Sequence, residues 1–372
     1  MAGLVLDEIC KGWDFPVLDR LSLTVEEGEF FVIVGPSGIG KTTLLRCIAG
    51  LERLDAGRVI IGGQDVTAVK PYRRGVAMTF ESYALYPHLT VFENIASPLR
   101  ARRQPKEDIA RQVESVAKLL KIDHLLDRRP HEVSGGQKQR TALGRTLVAK
   151  PEIFLLDEPI SHLDAKIRHE LRRQFHTLED LRRVATLYVT HDYAEALSLG
   201  DRIGVMGEGG LVQIGSPREV FEKPADLFAA RVLGQPSINE FSAEVEGSDG
   251  ALSISVENGA IRFPISGPPA SVLGDHSDRG ISVGMRPQHL SVVRDGASSA
   301  NGHPTVEGTV DVHEALGATG VLIATVGEQP LTVITSPEDH YASGEPVKIA
   351  LEPENFLYFD RQSGRNLMLG QS

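Results

Sequence analysis

The run Gly35-Pro36-Ser37-Gly38-Ile39-Gly40-Lys41-Thr42 carries the spacing Gly-x-x-x-x-Gly-Lys-Thr. Gly35, Gly38 and Gly40, with Ser37 between them, let backbone N–H groups close on a phosphate. Lys41 is a cation for its outer oxygens, and Thr42, followed by Thr43, offers a hydroxyl to Mg²⁺. Farther along, Ile153-Phe154-Leu155-Leu156 ends on two carboxylates, Asp157 and Glu158. Asp157 suits Mg²⁺, usually through water, and Glu158 suits orienting or deprotonating an attacking water. His191 follows another apolar run, where a lone imidazole is most often structural.

These groups need a scaffold that brings distant residues together. Glu29 to Val34 reads as a strand running into the glycine loop, and Thr42 to Ala49 as a helix stopped by Gly50. Between Phe80 and Lys150 the strand signal gives way to helices. Ile109, Val113, Val116, Leu119 and Leu120 recur at helical spacing from Lys106 to Lys121. Strands resume at Ile153 to Leu156 and Ala185 to Thr190, separated by a helix from Ala165 with the stripe Ile167, Leu171, Phe175 and Leu178. His191 is followed by Asp192 and Glu195, read as a pair capping the next helix. The pattern predicts an α/β domain with a parallel sheet and a helical insertion.

Ser216-Pro217-Arg218-Glu219 has the form of a capping box opening a short helical stretch that ends near Gly234-Gln235-Pro236. From Phe241 the pattern becomes short β runs, among them Ile281 to Val283, Val306 to Val312, Leu331 to Ile334 and Val347 to Leu351, broken by turn residues. This predicts a small all-β barrel or sandwich. The expected domains are 1–235, with a helical subdomain at about 82–150, and 236–372.

Composition fits that division. The chain has 372 residues, 41% hydrophobic and 24% charged, enough for two folded cores. A net charge of -11 gives no reason to expect a nucleic-acid partner. Cys10 and Cys47 form neither a disulfide framework nor a metal pattern and read as small apolar residues in a reducing cytoplasm. The first residues lack the charge and apolar core of a leader, and no stretch reaches the roughly 18 apolar residues of a spanning helix. A membrane role is therefore expected through partners.

Val133-Ser134-Gly135-Gly136-Gln137 lies between the two phosphate motifs and resembles the signature of ABC-type ATPases. Ser134 and Gln137 can form a capping box, leaving Ser134, Gly135 and Gly136 to meet an anion at a helix N-terminus. The resemblance implies ATP hydrolysis with Mg²⁺ in a head-to-tail dimer, where the signature of one subunit covers the ATP held by the other. Ser161-His162-Leu163-Asp164 resembles the dimer-interface D-loop, and His191 the switch histidine. Trp13 resembles the aromatic that stacks on adenine, with Phe15 as its rival.

The run from Tyr83 to Ile95, with Tyr83, Leu85, Tyr86, Pro87 and His88 as its docking residues, is similar to the segment with which importer ATPases of the maltose and glycerol-3-phosphate type grip their membrane subunits. Val283 to Leu290 and Leu351 to Asn355 resemble the regulatory β domain of those importers. The family resemblance covers nearly the whole chain. It implies two polytopic membrane subunits, a second ATPase subunit, an extracytoplasmic solute-binding protein acting indirectly, and a peripheral position on the cytoplasmic face of the membrane. Where the family has glutamine after Phe80, this chain has Glu81, beside the expected Mg²⁺ and water. The resemblance implies import of a carbohydrate-type solute, a sugar, glycerol or other polyol, or glycerol-3-phosphate, and the departure motivates pairing with a non-identical ATPase that keeps the glutamine, with a glycerol-like or sugar-alcohol cargo. An ion or polyamine importer is the nearer alternative. A soluble ABC ATPase of DNA repair or translation is the remoter one, since neither a long coiled-coil insertion nor a second cassette is present.

Overall fold

The strands that lead into the phosphate motifs are apolar at every position and so need cover on both faces. The computed structural model describes residues 2–247, 252–256, 259–274, 280–293 and 302–369. The chain divides into two compact units, Met1–Arg218 and Glu219–Ser372.

In the first unit, β1 (Ala2–Gly12), β2 (Pro16–Glu26) and β3 (Phe30–Val34) precede α1 (Lys41–Ala49), β4 (Ala56–Ile61), β5 (Gln64–Asp65) and β6 (Val76–Thr79). Three helices follow: α2 (Val91–Ala101), α3 (Lys106–Leu119) and α4 (Gly135–Leu147). Then come β7 (Ile153–Asp157), α5 (Ala165–Thr177), α6 (Glu179–Arg183), β8 (Ala185–Thr190), α7 (Tyr193–Leu199), β9 (Arg202–Gly207) and β10 (Gly210–Gly215). The central sheet has the order β10-β9-β3-β8-β7-β6, and all of its pairs except β10 with β9 are parallel. A smaller antiparallel sheet has the order β2-β1-β4-β5.

Alternation along β3 divides its side chains between two cores. Phe31 and Ile33 join Leu44, Leu45 and Ile48 of α1 and Leu4, Leu6 and Leu23 of the smaller sheet in one cluster. Phe30 lies on the other face, with its ring centroid 5.7 Å from Tyr188 of β8 and 6.4 Å from Phe175 of α5. The phosphate-loop helix is thus fixed between two sheets. Its C-terminus stops at Gly50 with φ 75°, and the buried Arg74 guanidinium donates to the helix-end carbonyls of Cys47 (3.1 Å) and Ile48 (2.8 Å).

The short helices α8 (Pro217–Glu222) and α9 (Leu227–Val232) lead into β11 (Asn239–Glu246), β12 (Leu252–Val256) and β13 (Ile261–Ile265). After α10 (Pro268–Leu273) come β14 (Ile281–Met285), β15 (Leu290–Val293), β16 (Thr305–Ala315), β17 (Gly320–Val326), β18 (Gln329–Thr335), β19 (Pro346–Leu351) and β20 (Leu357–Asp360). They form two five-stranded antiparallel sheets, β13-β12-β11-β14-β20 and β15-β19-β16-β17-β18, around one shared core.

The division between the units falls earlier in the chain than the expected 235/236 boundary. Arg286 supplies the reason: its buried guanidinium donates to Leu233 O (2.6 Å) and Phe221 O (2.7 Å) and lies 3.9 Å from the Phe221 ring centroid. A planar fork stacked on an aromatic ring binds the 221–233 segment to the β unit. Among the described residues, no helix is long and apolar enough to cross a membrane.

Candidate functional site

The phosphate loop leaves the C-terminal end of β3, at the centre of the parallel sheet, where ligands of such sheets bind. Two of its glycines cannot be replaced without displacement of the loop. A Cβ on Gly35 would lie 2.6 Å from Met206 O, and one on Gly40, at φ 113°, would lie 2.8 Å from Val17 Cγ1. Gly38, at φ 81°, faces open space. Lys41 is buried and folds back to donate to Gly35 O and Pro36 O, each at 2.8 Å. Burial lowers its pKa, against the opposing fields of Glu158, Asp157 and Glu81.

A cavity of about 380 Å³ opens over the loop, lined by Ser37, Gly38, Gly40, Lys41, Thr42, Thr43, Glu81 and Glu158 on the phosphate side. Trp13 and Phe15, 60% and 67% exposed, line its other end, so both aromatic candidates face the same space. Lys11 Nζ lies 4.9 Å from the Trp13 ring centroid.

β7 is adjacent to β8, and β8 to β3, which brings the paired acids to the loop. Thr42 Oγ1 donates to Asp157 Oδ1 at 3.2 Å, while Asp157 Oδ2 is buried with no hydrogen-bond partner. Desolvation, with Glu81 and Glu158 nearby, pushes the Asp157 carboxyl up to about 6 despite the Thr42 bond and Lys41. An orphaned carboxylate oxygen beside a threonine hydroxyl fits a hard divalent cation. Among the described residues, no group of three or more His, Cys, Asp or Glu could hold a metal. Phosphate oxygens and water would have to complete the shell, the usual arrangement for Mg²⁺.

Glu158 takes a left-handed backbone conformation, φ 43°. Its N–H donates to Val189 O (3.0 Å), and its carbonyl accepts from Gln139 Nε2 (2.9 Å) and Ser161 Oγ (3.1 Å). These contacts hold a strained conformation that aims the carboxylate off the strand end. Glu158 Oε1 lies 2.8 Å from His191 Nδ1, so the two residues read separately from the sequence meet directly. His191 is half exposed on the solvent side of that pair.

The expected capping pair after His191 is only half right. Asp192 caps α7 by accepting from Ala194 N (2.8 Å) and Glu195 N (3.2 Å). Glu195 points inward instead: fully buried, it accepts at Oε2 from Tyr188 Oη (2.7 Å) and Thr190 Oγ1 (2.9 Å). Burial raises its pKa. Two hydroxyls of β8 capture the carboxyl before it can reach back to the helix end, and the Thr190 hydroxyl in turn accepts from Asp192 N (3.0 Å).

Ser134 and Gln137 form the expected capping box at the start of α4, with Ser134 N to Gln137 Oε1 at 2.8 Å. Gly135, Gly136 and this box do not line the cavity over the phosphate loop of their own chain. Asp164 caps α5 through Ile167 N (3.0 Å). In the 83–88 segment Tyr86, Pro87 and His88 are exposed and Tyr83 and Leu85 half-buried, just after the edge strand β6. Sequence reasoning missed Thr79, whose hydroxyl accepts from Asp157 N (2.9 Å), and Gln139 behind Glu158. Neither belongs to a local pattern.

This geometry is that of an ABC-type nucleotide-binding unit, and comparison with known proteins extends the assignment to the whole chain. The ABC transporter family profile matches residues 18–161, and the TOBE domain profile matches 283–359. The chain belongs to the family of ABC import ATP-binding proteins. The sn-glycerol-3-phosphate import ATP-binding protein UgpC of Escherichia coli strain K12 is 41% identical, with 99% of this chain and 100% of the relative covered. The same-named protein of Salmonella typhimurium strain LT2 is 42% identical at the same coverage. Among solved structures, the ATP-binding cassette MJ0796, a dimer in a post-hydrolysis state bound to ADP and Pi, matches with TM-score 0.54 and 27% identity. It covers 58% of this chain and 99% of its own. The chain is therefore a nucleotide-binding ATP hydrolase that serves membrane permease partners.

Proposed function

We propose that this chain drives import of sn-glycerol-3-phosphate or a closely related polyol phosphate from a peripheral position on the cytoplasmic face of the membrane. The observation that carries the reading is the 41% identity to a named glycerol-3-phosphate import ATPase over essentially both full lengths.

Gly38, Gly40 and the N-terminus of α1 cradle the phosphates, and Lys41 leaves the loop carbonyls for the outer phosphate oxygens. Thr42, Asp157 and Glu81 are the residues that would hold Mg²⁺, directly or through water, and a bound Mg²⁺ would offset phosphate charge. Glu158 orients and accepts a proton from water, while His191, hydrogen-bonded to Glu158, contacts the terminal phosphate. Trp13 stacks on the adenine, with Phe15 beside it. Ser134, Gly135, Gly136 and Gln137 act on the nucleotide of a second ATPase chain, and Ser161 and Asp164 lie at that interface. The signature's position outside the lining of its own chain's cavity supports this reading. Tyr83, Leu85, Tyr86, Pro87 and His88 receive the membrane subunits.

Glu81 favours a second reading, in which the paired ATPase is a non-identical chain retaining glutamine at this position. Purification of the assembled transporter tests both. Two polytopic membrane proteins are expected with it, and native mass reports the ATPase content. Two copies of this chain with no other ATPase would remove the unequal pair; absence of membrane proteins would remove the importer reading.

A further inference from the structure

Arg145 has no part in the site described so far, yet it joins two of its regions. It lies on α4 about 15 Å along the helix from Gly135. Its guanidinium donates to Ala84 O (2.7 Å) and Tyr83 O (3.0 Å) and lies 5.6 Å from the Tyr86 ring centroid. Tyr83 and Ala84 have φ of 64° and 46°, the one consecutive pair of non-glycine residues at positive φ among the described residues. That conformation is sterically costly and persists only where the surroundings hold it.

The same segment is anchored at its other end. Asn94, fully buried, accepts from Tyr86 N (2.8 Å) and donates to Tyr86 O (3.1 Å), Leu89 O (3.2 Å) and Thr90 O (2.9 Å). From Tyr83 a chain of contacts runs to the backbone carbonyl of Glu158. Its ring meets His162 edge-on at 6.1 Å, and His162 Nδ1 lies 3.3 Å from Ser161 Oγ, which donates to Glu158 O. The Tyr83 hydroxyl also lies 4.0 Å from the point a Cβ on Gly135 would occupy.

We propose that Arg145 is a positioning residue: its fork on the left-handed Tyr83–Ala84 pair is the latch through which the docked membrane subunit sets the signature helix and Glu158. A planar fork grips two carbonyls only while both converge. Rotation at Tyr83 or Ala84 therefore releases it as a whole, a discrete switch between two states. The inference rests on the docking role of 83–88 given above.

The test uses the assembled transporter in nanodiscs with its solute-binding protein and sn-glycerol-3-phosphate. The readout is the ratio of stimulated to unstimulated ATP hydrolysis, with KM for ATP measured alongside. Arg145→Lys keeps the charge and loses the fork. It should lower the ratio about five-fold or more, the lower range of an allosteric coupling, with KM for ATP moving less than about two-fold. An unchanged ratio, or equal loss of both rates together with a lower thermal midpoint, overturns the latch. If Arg145→Lys does not assemble, Ala84→Gly keeps both carbonyls and relaxes the hinge. It should raise the unstimulated rate and lower the ratio, and an unchanged ratio again overturns the proposal. A Leu85→Cys cross-link to a membrane subunit tests docking separately. Its failure removes both readings, whereas a cross-link with an unchanged ratio removes the latch alone.

Discussion

Asp157→Asn separates what a buried carboxylate costs the fold from what it does for the reaction. Asp157 is 2% exposed, and desolvation pushes its carboxyl up to about 6 from an ordinary 3.8. The folded chain therefore holds the proton more tightly than the unfolded chain. The resulting stability is fully present below about 4 and is lost as pH rises through about 6. Above that range the ionised carboxylate costs the nucleotide-free fold about 3 kcal/mol at most, from roughly two pH units at 1.36 kcal/mol each. Asparagine can still accept from Thr42 Oγ1 but places an amide N–H₂ where Oδ2 has no partner, a loss of about 1 kcal/mol. The net gain of about 2 kcal/mol corresponds to a rise of about 4–8 °C in thermal midpoint for a unit of this size. Calorimetry in chelator without nucleotide, at pH 8 and pH 5, checks this. The gain should appear at pH 8 and shrink to under about 1 kcal/mol at pH 5, and the variant should lose metal-dependent hydrolysis. A variant no more stable than wild type at pH 8, or a gain of equal size at both pH values, would refute the assignment of the strain to this carboxylate.

Two further outcomes follow from the same cavity. Trp13 is the sole tryptophan, so ATP should quench intrinsic tryptophan emission, and Trp13→Ala should raise KM for ATP about 3- to 10-fold. Quenching absent in wild type but a raised KM in Phe15→Ala would transfer the adenine to Phe15. Glu81 pushes the Asp157 carboxyl upward, so Glu81→Gln should move the acid limb of the hydrolysis profile of the assembled transporter to lower pH. An unmoved limb with unchanged Mg²⁺ dependence would take Glu81 out of the reaction.

Local chemistry was legible and tertiary capture was not. The glycine loop, the Ser134–Gln137 box and the Gly50 stop each depend on residues within one turn, where spacing states the geometry. Asp157 and His191 could be placed because each closes an apolar strand of a parallel sheet, and such strand ends share one edge. Glu195 was misread because the capping pattern is indifferent to Tyr188 and Thr190, two hydroxyls on the neighbouring strand that win its carboxyl. Arg145, Gln139 and Arg286 each act on a distant backbone carbonyl, a contact with no spacing to betray it. The unit boundary shifted for the same reason, since Arg286 recruits a segment that composition alone leaves with the preceding domain.

Hydrolysis at this site is coupled to inward movement of a polyol phosphate. Proteoliposomes holding the assembled transporter, with ATP and Mg²⁺ on the side of this chain and labelled sn-glycerol-3-phosphate with the binding protein on the other, test it most directly. The account predicts uptake that depends on ATP and is lost in Glu158→Gln, while that variant still binds ATP. Uptake that survives Glu158→Gln, or vigorous ATP hydrolysis with no movement of sn-glycerol-3-phosphate, would contradict it.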